Sequence, residues 1–498
     1  MERTTGSAHR MLFLNTLAFT TCFAAWMLNG VLVTYLVDHQ VFNWGPVEVG
    51  WLLGIPVLTG SIFRLPLGML TDRYGGRPVF TALLLFCSIP MYLLSEVNSF
   101  AGFAAMSFGF GIIGTGFAVG IAFTSVWYPK RQQGLALGVF GAGNAGAALT
   151  TLFAPTLLMK LTAGGTDLEG WRMLPRIYAA CLVAMAVIFF LFTTNRRPEG
   201  DARTMRRMLE PLRTVRVWRF GLYYFLVFGC FVAFAQWLVP YYVNVYAVSL
   251  VTAGVFASMF SFPSGVIRAL GGWLSDRWGA RKVMYWVLGS SVAICLLLVV
   301  PRMEVTTPGK GVMSTLNGRV TYVSDTLVQV NGTAFAVRQE PPSEMHGMHE
   351  RRIWPTKRTW QNPVVQVGDE VRRKQLLAQG VTRIHFSAHM MVFTVLVILV
   401  GIVWGIGKAA VYKHIPEYFP DQVGVVGGMV GVLGGLGGFL GPILFGYLLE
   451  ATGLWTSSWL FLLLVSLACL LWMNHVVNLI QRRAAPEVNK TMEVLRIV

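Results

Sequence analysis

Runs of about twenty or more apolar residues recur along the chain between short polar stretches, and each run is long enough to cross a bilayer as a helix. Twelve spans are predicted: 11–37, 46–71, 79–97, 101–127, 134–161 and 174–194, then 220–246, 251–275, 283–301, 386–414, 423–449 and 455–479. A basic linker, 196–219, separates the first six from the last six, and a polar insertion at 302–384 falls between the ninth and tenth spans. Within it the pattern changes to alternation, in Gly318–Val323 and in Leu327–Val330 before Asn331-Gly332, which is a hairpin signal. The predicted fold is therefore an all-α membrane protein of two six-helix halves with a small β-rich insertion. Its parts are 1–195, 196–219, 220–301, 302–384, 385–480 and the tail 481–498.

The pattern also repeats internally. Gly60–Arg77 reads GSIFRLPLGMLTDRYGGR, and the layout returns 204 residues later, so that Arg64 answers to Arg268, Gly68 to Gly272 and Asp72 to Asp276. Trp127-Tyr128-Pro129 and Tyr418-Phe419-Pro420 are offset by 291 residues, as are Gly143-Asn144-Ala145-Gly146 and Gly434-Gly435-Leu436-Gly437. The second offset exceeds the first by about the length of the insertion. Parallel halves with a midplane site between them are the architecture expected of a transporter.

Composition narrows the class. Of 498 residues, 55% are hydrophobic and 13% charged, too apolar for ordinary soluble domains. A net charge of +17 in a soluble protein would raise the question of nucleic acid; here the simpler account is the positive-inside rule, and no nucleic-acid partner is expected. Arg73, Arg77, Lys130, Arg131, the linker arginines, Arg277, Arg281 and Lys282 fall on the side of the termini, whereas Asp38, Asp167 and Glu169 fall on the other. Both termini are thus expected in the cytoplasm, and the insertion outside it. The six cysteines lie in apolar spans without a CxxC partner and suggest neither disulfides nor a metal site. Met345-His346-Gly347-Met348-His349 reads as a solvated loop in preference to a metal cluster, because a third ligand pattern is missing. No nucleotide-binding loop and no acid–base constellation stands out, which argues for secondary transport without a cofactor and against an enzyme.

The chemistry lies in three cations. No Asp or Glu falls near the middle of any span, whereas Arg64, Arg268 and Lys408 do. A charge within a span is costly and marks a functional site by default. A cavity with positive charges and no carboxylates selects an anion, and the planar, permanently charged guanidinium suits a trigonal oxyanion. The bland alternative is that each arginine bonds backbone carbonyls structurally. Gly143, Gly146, Gly434 and Gly437 lie in glycine-rich spans where small residues allow close packing and sliding. Asn144 places an amide donor within one such face.

The loop Asp72-Arg73-Tyr74-Gly75-Gly76-Arg77, repeated as Asp276-Arg277-Trp278-Gly279-Ala280-Arg281, resembles the signature of the major facilitator superfamily and implies a gating element. The arginine pair, the glycine-rich stretches 138–146 and 427–439, and Phe117, Tyr224 and Phe228 together look like the nitrate/nitrite porter family, a match that covers all twelve spans. The insertion departs from the compact family pattern. Val367–Val371 with Gln375–Ala378 resembles the capping half of a lipoyl-type module, without its lysine-bearing hairpin. The family resemblance implies a monomeric transporter of nitrate and nitrite in the lipid bilayer of a prokaryotic inner membrane. Arg64, Arg268, Asn144, Phe117, Tyr224 and Phe228 would contact the anion. Gly407–His414 resembles the proton-coupled branch, with Lys408 the candidate for coupling to protons; a snorkelling lysine is the bland alternative. A nitrate/nitrite antiporter and a membrane sensor with a ligand-binding insertion are the rival readings.

Overall fold

The computed structural model describes residues 6–197, 210–300, 303–339, 356–386, 389–419 and 423–484. The Met345–His349 cluster and residues 198–209 of the basic linker lie outside these residues. The chain divides into two compact units, one formed by Met1–Val299 with Leu396–Val498 and the other by Val300–Val395.

The first unit is helical. Its spans are α1 (Gly6–Asp38), α2 (Pro46–Tyr74), α3 (Gly76–Glu96), α4 (Phe100–Ser125), α5 (Ala136–Leu161), α6 (Leu168–Phe192) and α7 (Val215–Tyr246). Then follow α8 (Leu250–Val266 with Arg268–Trp278, bent by 43°), α9 (Ala280–Leu298), α10 (Met390–Tyr418), α11 (Val423–Thr452) and α12 (Ser457–Ala484). Among the described residues, eleven helices are long and apolar enough to cross a membrane, and α8 makes twelve if the bent pair is one span.

The linker is shorter than its charge suggested. Helix α7 begins at Val215, so Arg216 and Arg219 belong to its first turns, and Arg219 is buried there. Arginine ends a hydrophobic run without ending a helix, since its aliphatic stem packs while its head reaches a polar rim.

Two helices break at matching points. Phe63 interrupts α2 immediately before Arg64, and Ile267 interrupts α8 immediately before Arg268. The backbone of α7 widens into a π turn over Phe225–Cys230, and α5 tightens into a 3₁₀ turn over Ala142–Ala145. Such departures from regular helix concentrate at functional sites.

Glycines set the closest approaches. A Cβ at Gly54 would come 2.7 Å from the Phe439 carbonyl oxygen, and one at Gly50 would overlap the backbone of Pro442 and Ile443. Helix α2 therefore lies backbone to backbone on α11. Gly146 packs in the same way on Thr20 of α1, Gly434 on the Tyr224 ring, Gly437 on Phe225 and Gly229, and Gly143 on Phe19. These four glycines are packing positions.

The second unit is a small β module. Its strands are β1 (Met303–Met313), β2 (Gly318–Val323), β3 (Leu327–Val330), β4 (Thr333–Ala336), β5 (Thr356–Pro363), β6 (Glu370–Val371) and β7 (Leu376–Phe386). One sheet has the order β1-β7-β5 and the other β4-β3-β2-β6. Val320, Val328, Val330, Val337, Val371 and Leu377 form its core. Asn331 (φ 48°) and Gly332 (φ 83°) make the tight turn from β3 to β4, where two successive left-handed residues match the strand twist.

Candidate functional site

The helix breaks turn both arginines inward. Arg64 is buried, with its guanidinium 5.6 Å from the Phe117 ring centroid and 5.4 Å from that of Phe228. Arg268 comes from the other half and lies 5.6 Å from the same Phe117 ring and 5.6 Å from Tyr412. The two guanidiniums thus share one aromatic ring on α4. Neither forms an ion pair with any carboxylate among the described residues.

Their hydrogen bonding is incomplete. Arg64 donates from Nη1 to the Gly431 carbonyl oxygen at 2.7 Å. Its buried Nε and Nη2 have no partner, and neither has the buried Nη1 of Arg268. A carbonyl therefore takes one donor of Arg64, as the bland reading expected, and three buried donors remain. Unpaired donors of this kind cost free energy until something fills the site. Glycines line them: a Cβ at Gly141 would stand 3.4 Å from Arg268 Nη1, and one at Gly431 or Gly435 would stand 3.6 Å from Arg64 Nη1, ordinary van der Waals contact in each case.

An aromatic wall surrounds the pair. Phe228 lies 6.5 Å from Phe117, and Tyr224 stacks on Phe228 at 4.9 Å and 9°. Tyr224 and Phe228 are one turn apart on α7, hence on one face. Tyr412 stands edge-on to Tyr224 at 5.0 Å and donates its hydroxyl proton to the Gly427 carbonyl oxygen at 3.0 Å. Sequence reasoning missed Tyr412. Its signal was its place one turn past Lys408 on the same face of α10.

Asn144 is fully buried in the 3₁₀ turn of α5, and neither amide atom has a hydrogen-bond partner. Its backbone lies against Gly265 of α8, three residues before Arg268. The structure places it at the seam between α5 and α8; its amide bonds neither arginine.

Lys408 is also fully buried, so it does not snorkel to an interface. Its Nζ donates to Ser264 Oγ at 3.0 Å and lies 3.1 Å from the Phe231 ring centroid. Ser264 precedes Arg268 by four residues on α8. Lys408 occupies the position equivalent to Phe117 in the repeat, but Phe117 contacts both arginines whereas Lys408 holds Ser264 and Phe231.

The surroundings are asymmetric along the helices. Gly68 and Gly272, one turn past the arginines, have no atom within 4 Å of a would-be Cβ, nor have Gly138 and Gly428, one turn from the glycines that touch the arginines. All four are partly exposed. At the opposite end Gly50, Gly54 and Gly254 are tightly packed. The helices are thus loosely packed around the site on the side of the repeated DRxGxR loops and tightly packed at the other end. Gly75 (φ 89°) and Gly279 (φ 83°) make the turns of those loops. Asp276 pairs with Lys413, Arg281 donates to the Tyr418 hydroxyl at 3.2 Å, and Arg77 donates to the Phe190 carbonyl oxygen at 2.9 Å. Arg73 and Arg277 lie over Tyr74 and Trp273.

Comparison with known proteins addresses the family and the fold. The family model of the Major Facilitator Superfamily matches residues 14–337. A Thermus thermophilus protein described as "Probable nitrate/nitrite antiporter NarK1" is 39% identical over 482 residues, 95% of this chain and 93% of that protein. The "Nitrite extrusion protein" of Bacillus subtilis is 28% identical over 311 residues, 62% of this chain and 76% of that protein. Among solved structures, a bacterial homologue of the lysosomal transporter Spinster, inward-facing and occupied, superposes with a TM-score of 0.63 at 14% identity, over 96% of this chain and 98% of that one.

Proposed function

Because the chain belongs to the nitrate/nitrite porter family of the major facilitator superfamily, we propose that it moves nitrate, and nitrite as a second substrate, across a prokaryotic inner membrane by alternating access, with protons accompanying the anion. The family is one of multi-pass membrane transporters, not enzymes. The observation that carries the substrate is the shared Phe117 ring, flanked by two guanidiniums with unfilled donors and, among the described residues, no carboxylate paired with either. A flat, singly charged oxyanion between Arg64 and Arg268 accepts from both forks and lies against aromatic faces.

In the empty site the arginines repel. An anion between them removes the repulsion and lets the loosely packed end close, which couples binding to the movement of the halves. The glycine contacts of α2 on α11 and of α5 on α1 and α8 supply flat surfaces for that movement. The basic loops face the cytoplasm by the positive-inside rule, and both termini lie there. The chain acts as a monomer with its site between its own halves.

A nitrate/nitrite antiporter is the second reading, favoured by the name of the Thermus relative. Counterflow of labelled nitrate into proteoliposomes, with and without a pH gradient and with nitrite inside, separates the two. Acceleration by an inward proton gradient without internal nitrite supports symport. An absolute requirement for internal nitrite supports exchange, and absence of nitrate flux under every condition overturns the substrate.

A further inference from the structure

A second cation-rich recess lies in the C-terminal half, away from the arginine pair. It is bounded by α7, α9, α10 and α12, with Arg219, Tyr223, Arg281, His414, Met473 and Val477 among its lining residues. Arg219 is only 7% exposed, and among the described residues its buried Nε has no hydrogen-bond partner; the Tyr223 hydroxyl is likewise buried and unpartnered. Arg281 donates to the Tyr418 hydroxyl, and Arg216 lies 5.3 Å from that tyrosine's ring. Among the described residues the nearby carboxylate is Glu417, half exposed and 3.8 Å from His414 Nδ1. Two guanidiniums lining a recess, a third on the ring of one of its tyrosines, and one peripheral carboxylate leave a surplus of positive charge and unfilled donors.

The other half shows what is unusual here. Arg77 occupies the repeat position of Arg281, but it is satisfied by the Phe190 carbonyl oxygen and covers the Phe190 ring at 4.3 Å. No comparable backbone acceptor takes up Arg219 Nε. The helices around the recess also carry exposed apolar side chains, Leu471 and Leu479 on α12 and Trp286 on α9. Its wall on α12 is apolar, formed by Met473 and Val477.

We propose that this recess binds the phosphodiester headgroup of an anionic phospholipid, with the phosphate between Arg219 and Arg281 and the glycerol and first methylenes along Met473 and Val477. Basic pockets between membrane helices at a cytoplasmic face are suited to such headgroups. Guanidiniums favour a phosphate oxygen pair, and the apolar wall beside the charges fits a ligand whose anionic head continues into an acyl chain. Arg281 lies in the first turn of α9, just past the Gly279 loop that joins it to α8, and Asp276, just before that loop, pairs with Lys413. The bound headgroup therefore ties that loop to α7 and α12.

The test is native mass spectrometry of the full chain, released from detergent after equilibration with phosphatidylglycerol, phosphatidylcholine or inorganic phosphate, without nitrate, so that it is independent of what the carrier transports. Phosphatidylglycerol is expected to be retained over phosphatidylcholine, and Arg219→Gln to reduce its retention roughly fivefold, the effect of one cation near a membrane surface. Val477→Asp, which sets a carboxylate against the headgroup without touching the arginines, should do the same and carries the test if Arg219→Gln does not fold. Equal retention of the two lipids, or retention of phosphatidylglycerol unchanged in the folded variants, overturns the proposal. Displacement of phosphatidylglycerol by millimolar inorganic phosphate, with the phosphate retained in its place, assigns the site to a soluble phosphate and overturns the lipid.

Discussion

Arg64 donates to the carbonyl oxygen of Gly431 across 2.7 Å, a bond that spans 367 positions of sequence and fastens α2 of the first half to α11 of the second. Arg268 answers from the other side, with its Nη1 within 3.4 Å of where a Cβ at Gly141 of α5 would stand. Each arginine reaches a glycine-rich helix of the opposite half. The groups proposed to bind the anion therefore also bridge the two halves, so that a change in their geometry is expected to be felt at the interface.

Arg64→Lys and Arg268→Lys keep the charge but lose the planar fork. The loss of one charged hydrogen bond costs about 1.5–3 kcal/mol, roughly ten- to hundredfold in affinity. Nitrate uptake by each variant at matched membrane abundance is expected to fall by at least that factor. Uptake near the unmodified rate in either variant would show that the fork is not what grips the anion.

Gly434→Ala is expected to lower the yield of folded protein and its melting temperature, because the new methyl would occupy the space of the Tyr224 ring. Overpacking of this kind costs about 1–3 kcal/mol. Gly68→Ala points into open space in this conformation and should leave folding intact. Its effect belongs to the closed form, so it should reduce turnover more than stability. Equal melting temperatures for the two variants would contradict the packing account of Gly434.

The spans were legible because their signal is length and apolarity, which the bilayer demands and tertiary packing cannot override. Arg64, Arg268 and Lys408 were legible because a charge in such a span has few innocent explanations. The Asn331-Gly332 turn was legible because its backbone needs those residues. Other features carried no local signal. Tyr412, Ser264 and Phe231 look like ordinary helix residues until α7, α8 and α10 are brought together. The long β1–β7 ladder, Met303↔Phe386 through Met313↔Leu376, joins segments from opposite ends of the insertion and left no mark in either. Likewise Arg219 read as linker, because a basic run looks solvated until its helix is seen to begin at Val215.

Replacing residues 303–386 by a short flexible linker is expected to leave nitrate flux into proteoliposomes. The arginine pair, its aromatic wall and Lys408 all lie outside the β module, which has its own apolar core. Loss of flux in a folded, membrane-inserted variant would favour the sensor reading, in which the insertion is the ligand-binding part.

Asn144→Ala is expected to weaken nitrate binding by about 1–3 kcal/mol, the cost of a buried polar partner left unmade. Both amide atoms of Asn144 are free in this conformation, at the seam of α5 with α8. Half-saturation for nitrate, measured by uptake at equal abundance, reports the change. An unaltered value would make Asn144 a packing residue of the seam.

Lys408 is the residue proposed to couple the anion to protons. Transporters that use protons commonly hold them on membrane carboxylates, and none lies near the middle of these spans. Lys408 is held by Ser264, one turn before Arg268, and by the face of Phe231. A proton on Lys408 and the charge on Arg268 disfavour one another, whereas an anion beside Arg268 makes that proton easier to hold. By linkage the proton must tighten the anion by the same factor. Lower external pH should therefore raise the apparent affinity for nitrate. Lys408→Gln should lose that dependence and the ability to accumulate nitrate against its gradient, while exchange of labelled for unlabelled nitrate persists. Simultaneous recording of nitrate uptake and internal pH in proteoliposomes is the measurement. Proton movement that continues unchanged in Lys408→Gln would remove the lysine from the mechanism. Nitrate uptake without proton movement in the unmodified protein would leave exchange with nitrite as the mode of transport.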